Sequence, residues 1–249
     1  MPATIIEGKL IAEKIKQDLK KDLKSISESK SEMPKLLSIQ VGADGGSAIY
    51  AKSQAKVAEE LGIIYELKNF NPDISESDLI NFIENANVDA RINGIIIQMP
   101  LPAHIDAKAV IYFINPKKDA EGIHPVNLGK IILGDLSLAP CTPSACMAIL
   151  EWTGVDLYGK EVVVVGHSDI VGKPFGLMLL TKFATTTTCH IGTSKRGLLE
   201  EHVKRAEVLV VAAGKASLIK GSWIKEGSIV IDVGINRVNG KITGDVEFD

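Results

Sequence analysis

Hydrophobic and polar residues follow two repeating periods along this chain, one helical and one extended. Near the amino terminus, Ile11, Ile15, Leu19 and Leu23 recur every four residues among lysines and acidic residues, which predicts a long amphipathic helix. A short β-like start at residues 3–6 precedes this helix, and polar residues 25–32 are expected to end it. Farther along, the predicted strands are 36–41, 63–70, 94–98, 162–165, 185–190, 208–212 and 229–233, and the predicted helices are 47–61, 75–86, 106–114, 142–152, 171–182 and 198–206.

Strands that alternate with helices predict an α/β fold in which helices cover both faces of parallel sheets. The alternation breaks off near residues 134–142 and restarts after Gly159. We therefore expect two parallel α/β domains, residues 1–137 and 138–249, with the second a Rossmann-like dinucleotide-binding domain. Ligands of such sheets bind at the carboxyl ends of the strands. The functional site is thus expected in a cleft between the two domains.

The segment from Val162 to Pro174 carries the most specific signal. Four consecutive valines predict a strand buried on both faces, and a turn with Gly166, Ser168 and Gly172 follows them. Gly166 permits a tight turn, Ser168 can cap the next helix, and free amide groups at the start of that helix attract an anion. The motif predicts a phosphate site. The dinucleotide fingerprint Gly-x-Gly-x-x-Gly is absent, so an ordinary strand and helix joined by a glycine turn is the alternative.

Composition narrows the functional classes. A chain of 249 residues with 45% hydrophobic content can bury one large core or two ordinary ones. A net charge of -3 gives no attraction to nucleic acid or to an anionic membrane surface. No apolar run approaches the roughly 20 residues that cross a bilayer. The three cysteines show neither disulfide nor metal-ligand spacing, so no metal is expected and a reducing, cytoplasmic compartment is favoured.

Three places in the first domain offer chemistry. Tyr50 and Gln54 are four residues apart and share a helix face. Gln98 closes an apolar strand before Met99-Pro-Leu-Pro102, which suggests an amide aimed at a ligand from a rigid loop. Residues 118–127 combine acids, a histidine and an asparagine in a candidate binding loop. The alternatives are a core tyrosine, a loop-bracing amide and common turn residues.

Taken together, these segments resemble the methylenetetrahydrofolate dehydrogenase/cyclohydrolase family along essentially the whole chain. The segments that carry the resemblance are Glu7-Gly-Lys9, Val41-Gly42 with Tyr50, Gln98-Met-Pro-Leu-Pro102, Lys118-Asp-Ala-Glu-Gly-Ile-His-Pro125, Pro140-Cys-Thr-Pro143, Val165-Gly-His-Ser168, Val171-Gly-Lys-Pro174 and Asp232-Val-Gly-Ile-Asn236. The resemblance implies oxidation of 5,10-methylenetetrahydrofolate with NADP, hydrolysis of the methenyl product to 10-formyltetrahydrofolate, and a homodimer formed through the second domain. It places the protein in one-carbon metabolism that supplies purine biosynthesis.

The resemblance also assigns roles to individual residues. The catalytic set would be Tyr50, Gln54, Gln98 and Glu121, with Tyr50 stacked on the folate. Tyr50, Gln98 and Glu121 would also bind the substrate, together with Pro100, Leu101 and Pro102 of the pterin slot. The dinucleotide would contact Gly166, His167, Ser168, Ile170, Val171, Thr193, Ala213, Gly214 and Ile235.

The chain departs from the family pattern at three of these positions. Gln54 stands where the family has the lysine of Tyr-x-x-x-Lys, which serves the cyclohydrolase step, and glutamine cannot titrate. Glu121 replaces an aspartate, so the carboxylate that would hold the pterin sits on a longer stem. His167 replaces an arginine expected at the 2′-phosphate of NADP, which leaves NAD as an alternative cofactor.

A fourth departure is at the carboxyl end. The chain stops at Asp249, before a proline- and glycine-rich loop and closing helix that the family has there. Either the sequence is part of a longer protein or the folate pocket lacks one wall. Two functional alternatives stay open: a dehydrogenase whose cyclohydrolase activity is lost through Gln54, and a non-catalytic module that binds folate or a nucleotide.

Overall fold

A computed structural model of the chain describes residues 3–29, 33–42 and 45–248. The chain forms two compact units, Met1–Asn127 and Leu128–Asp249. Each unit has its own parallel sheet, so the predicted α/β class with two separate sheets is confirmed.

The first unit is a three-stranded parallel sheet covered by helices. Its strands lie in the order β2-β1-β3, and both neighbours of β1 run parallel to it. The core contains apolar residues of β1 and β3 and of the third helix, including the fully buried Ile39, Leu79, Ile83 and Ile95. The elements are α1 (Gly8–Ser29), β1 (Lys35–Val41), α2 (Gly45–Leu61), β2 (Ile64–Phe70), α3 (Glu76–Val88), β3 (Gly94–Ile97) and α4 (Ala107–Tyr112). Helix α5 (Pro125–Ile132) begins in this unit.

The second unit is a four-stranded parallel sheet in the order β5-β4-β6-β7, with a short antiparallel hairpin of β8 and β9. Strand β4 is central, and Val162, Val163 and Val164 are fully buried because cores lie on both faces of the sheet. The elements are α6 (Cys141–Thr153), β4 (Glu161–Val165), α7 (Gly172–Leu180), β5 (Thr185–Cys189), α8 (Ile191–Lys195), α9 (Leu199–Arg205), β6 (Val208–Val211), a 3-10 turn (Gly221–Trp223), β7 (Ile229–Asp232), β8 (Asn236–Val238) and β9 (Lys241–Thr243).

The strand order locates the expected ligand edge of each sheet. In both units the chain passes from the central strand to one side and then crosses to the other, so a topological switch point lies beside the central strand. In the first unit it lies between β1 and β3, and in the second between β4 and β6. Ligands of open α/β sheets bind outside the carboxyl ends of the strands at such points.

Several local predictions differ from the structure. Residues 3–6 form no strand, because no other strand lies beside them to complete a ladder. Helix α1 continues through the polar residues to Ser29, while residues 30–32 lie outside the described part of the chain. Residues 43 and 44 also lie outside it, and α2 begins at Gly45, two residues before the predicted start at residue 47.

The candidate loop 118–127 ends in helix α5. Along the chain, the boundary between the two units falls between Asn127 and Leu128, ten residues before the boundary we predict at residues 137/138. The reason is the packing of α5, because Ile131 is buried in the core of the second unit and Leu128 packs against that core.

Candidate functional site

A network of neutral side chains includes Gln98, at the carboxyl edge of the first sheet. Gln98 follows β3, is 4% exposed, and donates from Nε2 to Ser38 Oγ at 2.9 Å and to Gln54 Oε1 at 2.7 Å. Both amide hydrogens of Gln98 are therefore used. The structure thus brings Gln98 and Gln54, two of the predicted site residues, into direct contact.

Tyr65 on β2 completes this network, which we call the glutamine network: Ser38, Gln54, Tyr65 and Gln98. The Tyr65 hydroxyl donates to Gln54 Oε1 at 3.2 Å. Burial raises the pKa of Tyr65 above its ordinary value, the Ser38 hydroxyl counteracts this, and the nearby Tyr50 phenol adds to it. The phenol is thus held as a neutral donor. With its oxygen accepting two hydrogen bonds, Gln54 offers its amide nitrogen to a ligand, since no described residue accepts a hydrogen bond from it.

Tyr50 lies on α2, one turn before Gln54. Its side chain is 58% exposed, so it is not a core tyrosine, and its ring is available for stacking. Lys52 and Lys56 on the same helix are exposed and make no described contact with Gln54.

The loop after Gln98 is anchored at one residue and open at the others. Leu101 packs against the core of the first unit, Pro102 is half-buried and Pro100 is exposed. The Met99-Pro100 peptide bond is cis. Pro100 and Pro102 can therefore face a ligand, whereas Leu101 chiefly holds the loop on the core.

Glu121 lies beside the end of β3. Burial raises its pKa to about 7, the neighbouring carboxylate of Asp119 adds to this, and a hydrogen bond from the Ile97 backbone counteracts it. Asp119 itself is 1% exposed and accepts hydrogen bonds from the Gly122 and His124 amides and from Asn127 Nδ2. Asp119 is thus a loop-bracing group, and Glu121 is the carboxyl group that retains the capacity to bind a donor.

A tight glycine turn leaves the second sheet at the end of β4. Gly166 has φ +132°, and a Cβ atom there would collide with the carbonyl oxygen of Ala212. A Cβ atom on Gly172 would collide with the carbonyl oxygen of Gly166. The sequence needs glycine at both positions because backbone lies against backbone. The two glycines therefore fix the shape of this turn, and the phosphate site there stays a prediction.

Ser168 acts inside this turn rather than as the cap of the next helix. Its Oγ accepts the Val171 amide at 3.1 Å, while α7 begins at Gly172 with Val171 in the capping position. The expected helix cap is therefore a turn brace. Ile170 is 52% exposed on the same turn.

His167 stacks on His190, which follows β5 and caps α8. The ring centroids are 5.0 Å apart and the planes are 33° from parallel. His190 Nδ1 accepts the Gly192 amide at 3.0 Å, and the Thr193 hydroxyl accepts the His190 amide at 3.2 Å. This capping box leaves Nε2 of His190 as its proton-bearing nitrogen. Two imidazoles and Thr193 thus meet at the carboxyl ends of β4 and β5.

Ala213 and Gly214 follow β6, and their amide groups are occupied. Both donate to Asp245 Oδ2, at 2.6 and 2.8 Å. They cannot hold a phosphate through these amides, so their predicted contact with a dinucleotide would use their other exposed atoms. Ile235, after β7, is 81% exposed.

Sequence reasoning missed Ser38, Tyr65, His190, Asp232 and Asp245. A serine inside the apolar run 36–41 was a usable signal, because a buried polar residue needs a partner. Tyr65 and Asp245 give no such signal, since the partner of Tyr65 lies 11 residues away and the three backbone amides that bind Asp245 lie 30 to 32 residues away in the chain.

The described residues offer neither a metal centre nor a membrane-spanning helix. These residues contain no group of three or more His, Cys, Asp or Glu side chains that could hold a metal ion. Their helices include none with the length and apolar character needed to cross a membrane.

Comparison with known proteins places both sheets in one family. Residues 6–121 match the model of the tetrahydrofolate dehydrogenase/cyclohydrolase catalytic domain, and residues 140–249 match that of its NAD(P)-binding domain. The bifunctional protein FolD of Bacillus velezensis is 46% identical over 250 residues, which are 100% of this chain and 87% of the relative. The bifunctional protein FolD of Bacillus subtilis is 45% identical over the same shares of both chains.

Solved structures agree. The bifunctional FolD methylenetetrahydrofolate dehydrogenase/cyclohydrolase of Campylobacter jejuni has a TM-score of 0.94 at 40% identity, covering 98% of this chain and 86% of that one. The Trypanosoma brucei enzyme, complexed with NADP cofactor and inhibitor, has a TM-score of 0.93 at 33% identity, covering 100% and 87%. The chain therefore belongs to the tetrahydrofolate dehydrogenase/cyclohydrolase family.

Proposed function

We propose that this protein oxidises 5,10-methylenetetrahydrofolate to 5,10-methenyltetrahydrofolate with NADP and hydrolyses the product to 10-formyltetrahydrofolate. The observation that carries the proposal is the pairing of the buried Gln98 amide with Gln54 at the carboxyl edge of the first sheet. Membership of the family supports it, as does the glycine turn that a dinucleotide phosphate fits in the second sheet.

Folate binding is assigned to groups at the carboxyl edge of the first sheet. The exposed ring of Tyr50 supplies stacking area, and Pro100 and Pro102 form the wall of the pterin slot. Glu121 holds the amino-pyrimidine edge, because its carboxylate can accept two hydrogen bonds in parallel. Binding of those donors favours the ionised form and so opposes the burial that raises the pKa of Glu121.

The dinucleotide is assigned to the glycine turn and its neighbours. The residues present fit it, since the Gly166 and Gly172 backbones leave no room for a Cβ atom and the turn follows a buried parallel strand. His167 and Thr193 lie where the adenosine ribose of such a cofactor is held, after the first and second strands of the sheet. A bound nicotinamide supplies the hydride acceptor.

The dehydrogenation step requires no proton transfer to or from a side chain of the protein. A hydride leaves the methylene carbon between N5 and N10, and the lone pairs of those nitrogens stabilise the cation that remains. The side chains of the glutamine network contribute orientation, because all four are neutral and hydrogen-bonded to one another. This is the step that the site supports most directly.

Hydrolysis asks more, because water adds to the methenyl carbon and loses a proton. Gln54 cannot take that proton, and at most its amide nitrogen and the Tyr50 hydroxyl orient the water. This observation favours a second candidate function, a dehydrogenase with little cyclohydrolase activity.

One assay separates the candidates. The purified protein is given 5,10-methylenetetrahydrofolate with NADP or with NAD, and methenyl formation and methenyl decay are followed in separate channels. Reduction of either cofactor with accelerated decay supports the bifunctional enzyme. Reduction with decay at the rate seen without protein supports the dehydrogenase alone, and no reduction with either cofactor refutes the proposal.

We also propose that the protein is a cytoplasmic homodimer that serves purine biosynthesis. Strand β5 is an edge of its sheet and can pair with a second copy. The cytoplasmic location is supported by the three cysteines, Cys141, Cys146 and Cys189. They are free thiols, which is the state that a reducing compartment preserves. Sedimentation equilibrium at micromolar concentration tests the dimer, and a monomer mass would refute it.

A further inference from the structure

Asp245 is a fully buried carboxylate held by an unusual set of donors. It is 0% exposed and accepts the amide groups of three consecutive residues, Ala213 at 2.6 Å, Gly214 at 2.8 Å and Lys215 at 2.8 Å. Asn236 Nδ2 donates to the same carboxylate at 2.8 Å. Successive backbone amides that converge in this way form an anion-binding nest. Here a side chain of the protein itself fills the nest.

The segment that delivers Asp245 is fixed from several directions. Asp232, at the end of β7, accepts the Asp245 amide at 3.0 Å and the Val246 amide at 2.9 Å. The Ile219 amide donates to the Asp245 carbonyl at 3.0 Å. A Cβ atom on Gly234 would collide with the Asp245 carboxyl group, so the backbone after β7 also lies directly against it. The carboxylate therefore joins the loops that follow β6 and β7.

The loop that Asp245 holds is also the support of the glycine turn. Ala212 immediately precedes the nest, and its carbonyl group is the one that a Cβ atom on Gly166 would strike. The Ala212 amide donates to the Val165 carbonyl at 2.7 Å. An unbroken series of contacts thus runs from Asp245 through the loop after β6 to the turn after β4.

Sheet order tells which part of a dinucleotide this arrangement affects. The pyrophosphate of such a cofactor lies at the turn after the first strand, here β4, and the adenosine ribose lies beyond the second strand, here β5. The remaining half, with the nicotinamide, falls over β6 and β7, where Asp245 joins the loops.

We propose that Asp245 is a positioning residue for the dinucleotide. It braces the glycine turn through Ala212, and by filling the nest it confines the cofactor phosphates to that turn. The inference rests on the proposed function, since it concerns the cofactor of that reaction.

The direct test compares dissociation constants of NADP and of tetrahydrofolate, each measured by titration calorimetry at a temperature well below unfolding. Asp245→Asn keeps the shape but turns one acceptor oxygen into an amide donor that faces backbone donors. We expect NADP binding to weaken at least about tenfold, the equivalent of one lost hydrogen bond to a charged group. Tetrahydrofolate binding should change less than about twofold. Glu247→Gln is the matched control, because Glu247 lies two residues along and its side chain accepts hydrogen bonds from Lys220 Nζ and the Gly221 amide, away from the nest.

A rescue experiment distinguishes positioning from mere stability. Asp245→Ala empties the nest, and added formate supplies a carboxylate of suitable size. We expect formate to restore NADP affinity in this variant and to leave the native protein unchanged. Should Asp245→Asn and Asp245→Ala fail to fold, Asn236→Ala removes one donor to the carboxylate and should weaken NADP binding alone.

The outcomes are separable. The inference is overturned if a folded Asp245 variant binds NADP with native affinity, even if its melting temperature falls. If neither Asp245 variant folds, native NADP affinity in Asn236→Ala overturns it. A formate effect of equal size in the native protein also overturns it. Failure of the native protein to bind NADP or NAD refutes the proposed function instead.

Discussion

The substitution Glu121→Gln removes a buried negative charge while it keeps the size of the side chain. Burial next to Asp119 raises the pKa of Glu121 from 4.5 to about 7. A pKa difference of about 2.5 corresponds to about 3 kcal/mol, at about 1.4 kcal/mol per unit. This free energy is the additional cost of ionising Glu121 in the ligand-free folded protein, compared with ionising it in the unfolded chain.

The sign follows from the direction of the pKa change. Because the folded pKa lies above the unfolded one, the native state holds an extra proton between pH 4.5 and about 7. The contribution to stability is fully present below the unfolded pKa and is lost as the pH rises through 7. Glutamine has no such dependence. We therefore compare the free energy of unfolding of the variant with that of the native protein. As the pH rises from 5 to 8.5, this difference should shift in favour of the variant by about 2.5 kcal/mol.

Urea unfolding followed by circular dichroism at a series of pH values measures this difference directly. Ionising groups that do not interact with Glu121 titrate alike in both proteins and cancel. Glu84→Gln, on the exposed face of α3, is the control and should give a constant difference. A difference between Glu121→Gln and the native protein that stays constant from pH 5 to pH 8.5 would refute the raised pKa.

The same substitution tests the pterin assignment. If the ionised carboxylate accepts the pterin donors, native affinity for tetrahydrofolate should fall about tenfold for each pH unit below 7. Glu121→Gln should bind tetrahydrofolate more weakly by about 1.5–3 kcal/mol at pH 8, with no pH dependence and with NADP binding untouched. Unchanged folate affinity would contradict the assignment.

Three further predictions concern the other candidate residues. Gln54→Lys should raise the rate of methenyl hydrolysis and give it a new pH dependence, whereas Gln54→Met, of similar length but uncharged, should not. Equal rates of hydrolysis in the native protein and in both variants would mean that Tyr50 and an oriented water suffice. If His167 holds the 2′-phosphate, His167→Ala should weaken the binding of NADP and leave the binding of NAD unchanged, whereas His167→Arg should strengthen the preference for NADP. An NADP/NAD affinity ratio that is unchanged in His167→Ala removes His167 from the role. Gly172→Ala should lower the free energy of unfolding by about 1–3 kcal/mol, because the added methyl group strikes the backbone carbonyl of Gly166 and displaces the turn. A variant as stable as the native protein in urea unfolding would refute the close packing of this turn.

Sequence reasoning was most successful where structure depends on neighbours in the chain. The run Val162–Val165 predicts a doubly buried strand, and the predicted start of the helix at Ser75 agrees with the structure, in which Ser75 caps α3 by accepting the Asp78 amide at 3.1 Å. Tyr50 and Gln54 share a helix because a four-residue spacing is a local property.

Sequence reasoning is least successful where contacts between distant segments of the chain determine the local structure. Residues 3–6 have a strand-like composition but no strand to pair with, and α5 is stabilised by the core of the following unit. The hairpin of β8 and β9 was missed although Asn239-Gly240 is a strong turn signal; both residues have positive φ, 50° and 78°. The Asp245 nest joins loops that no local pattern connects.

The charge state of the glutamine network has a consequence for kinetics. Ser38, Gln54 and Gln98 do not ionise in water, and burial keeps Tyr65 protonated beyond its ordinary range. Glu121 then contributes the one ionisation near neutrality that the structure assigns to this edge among the described residues. A pH–rate profile of chemistry at this edge should consequently be a single sigmoid rather than a bell, and its midpoint would report the protonation of the pterin anchor instead of a proton donor or acceptor in the reaction.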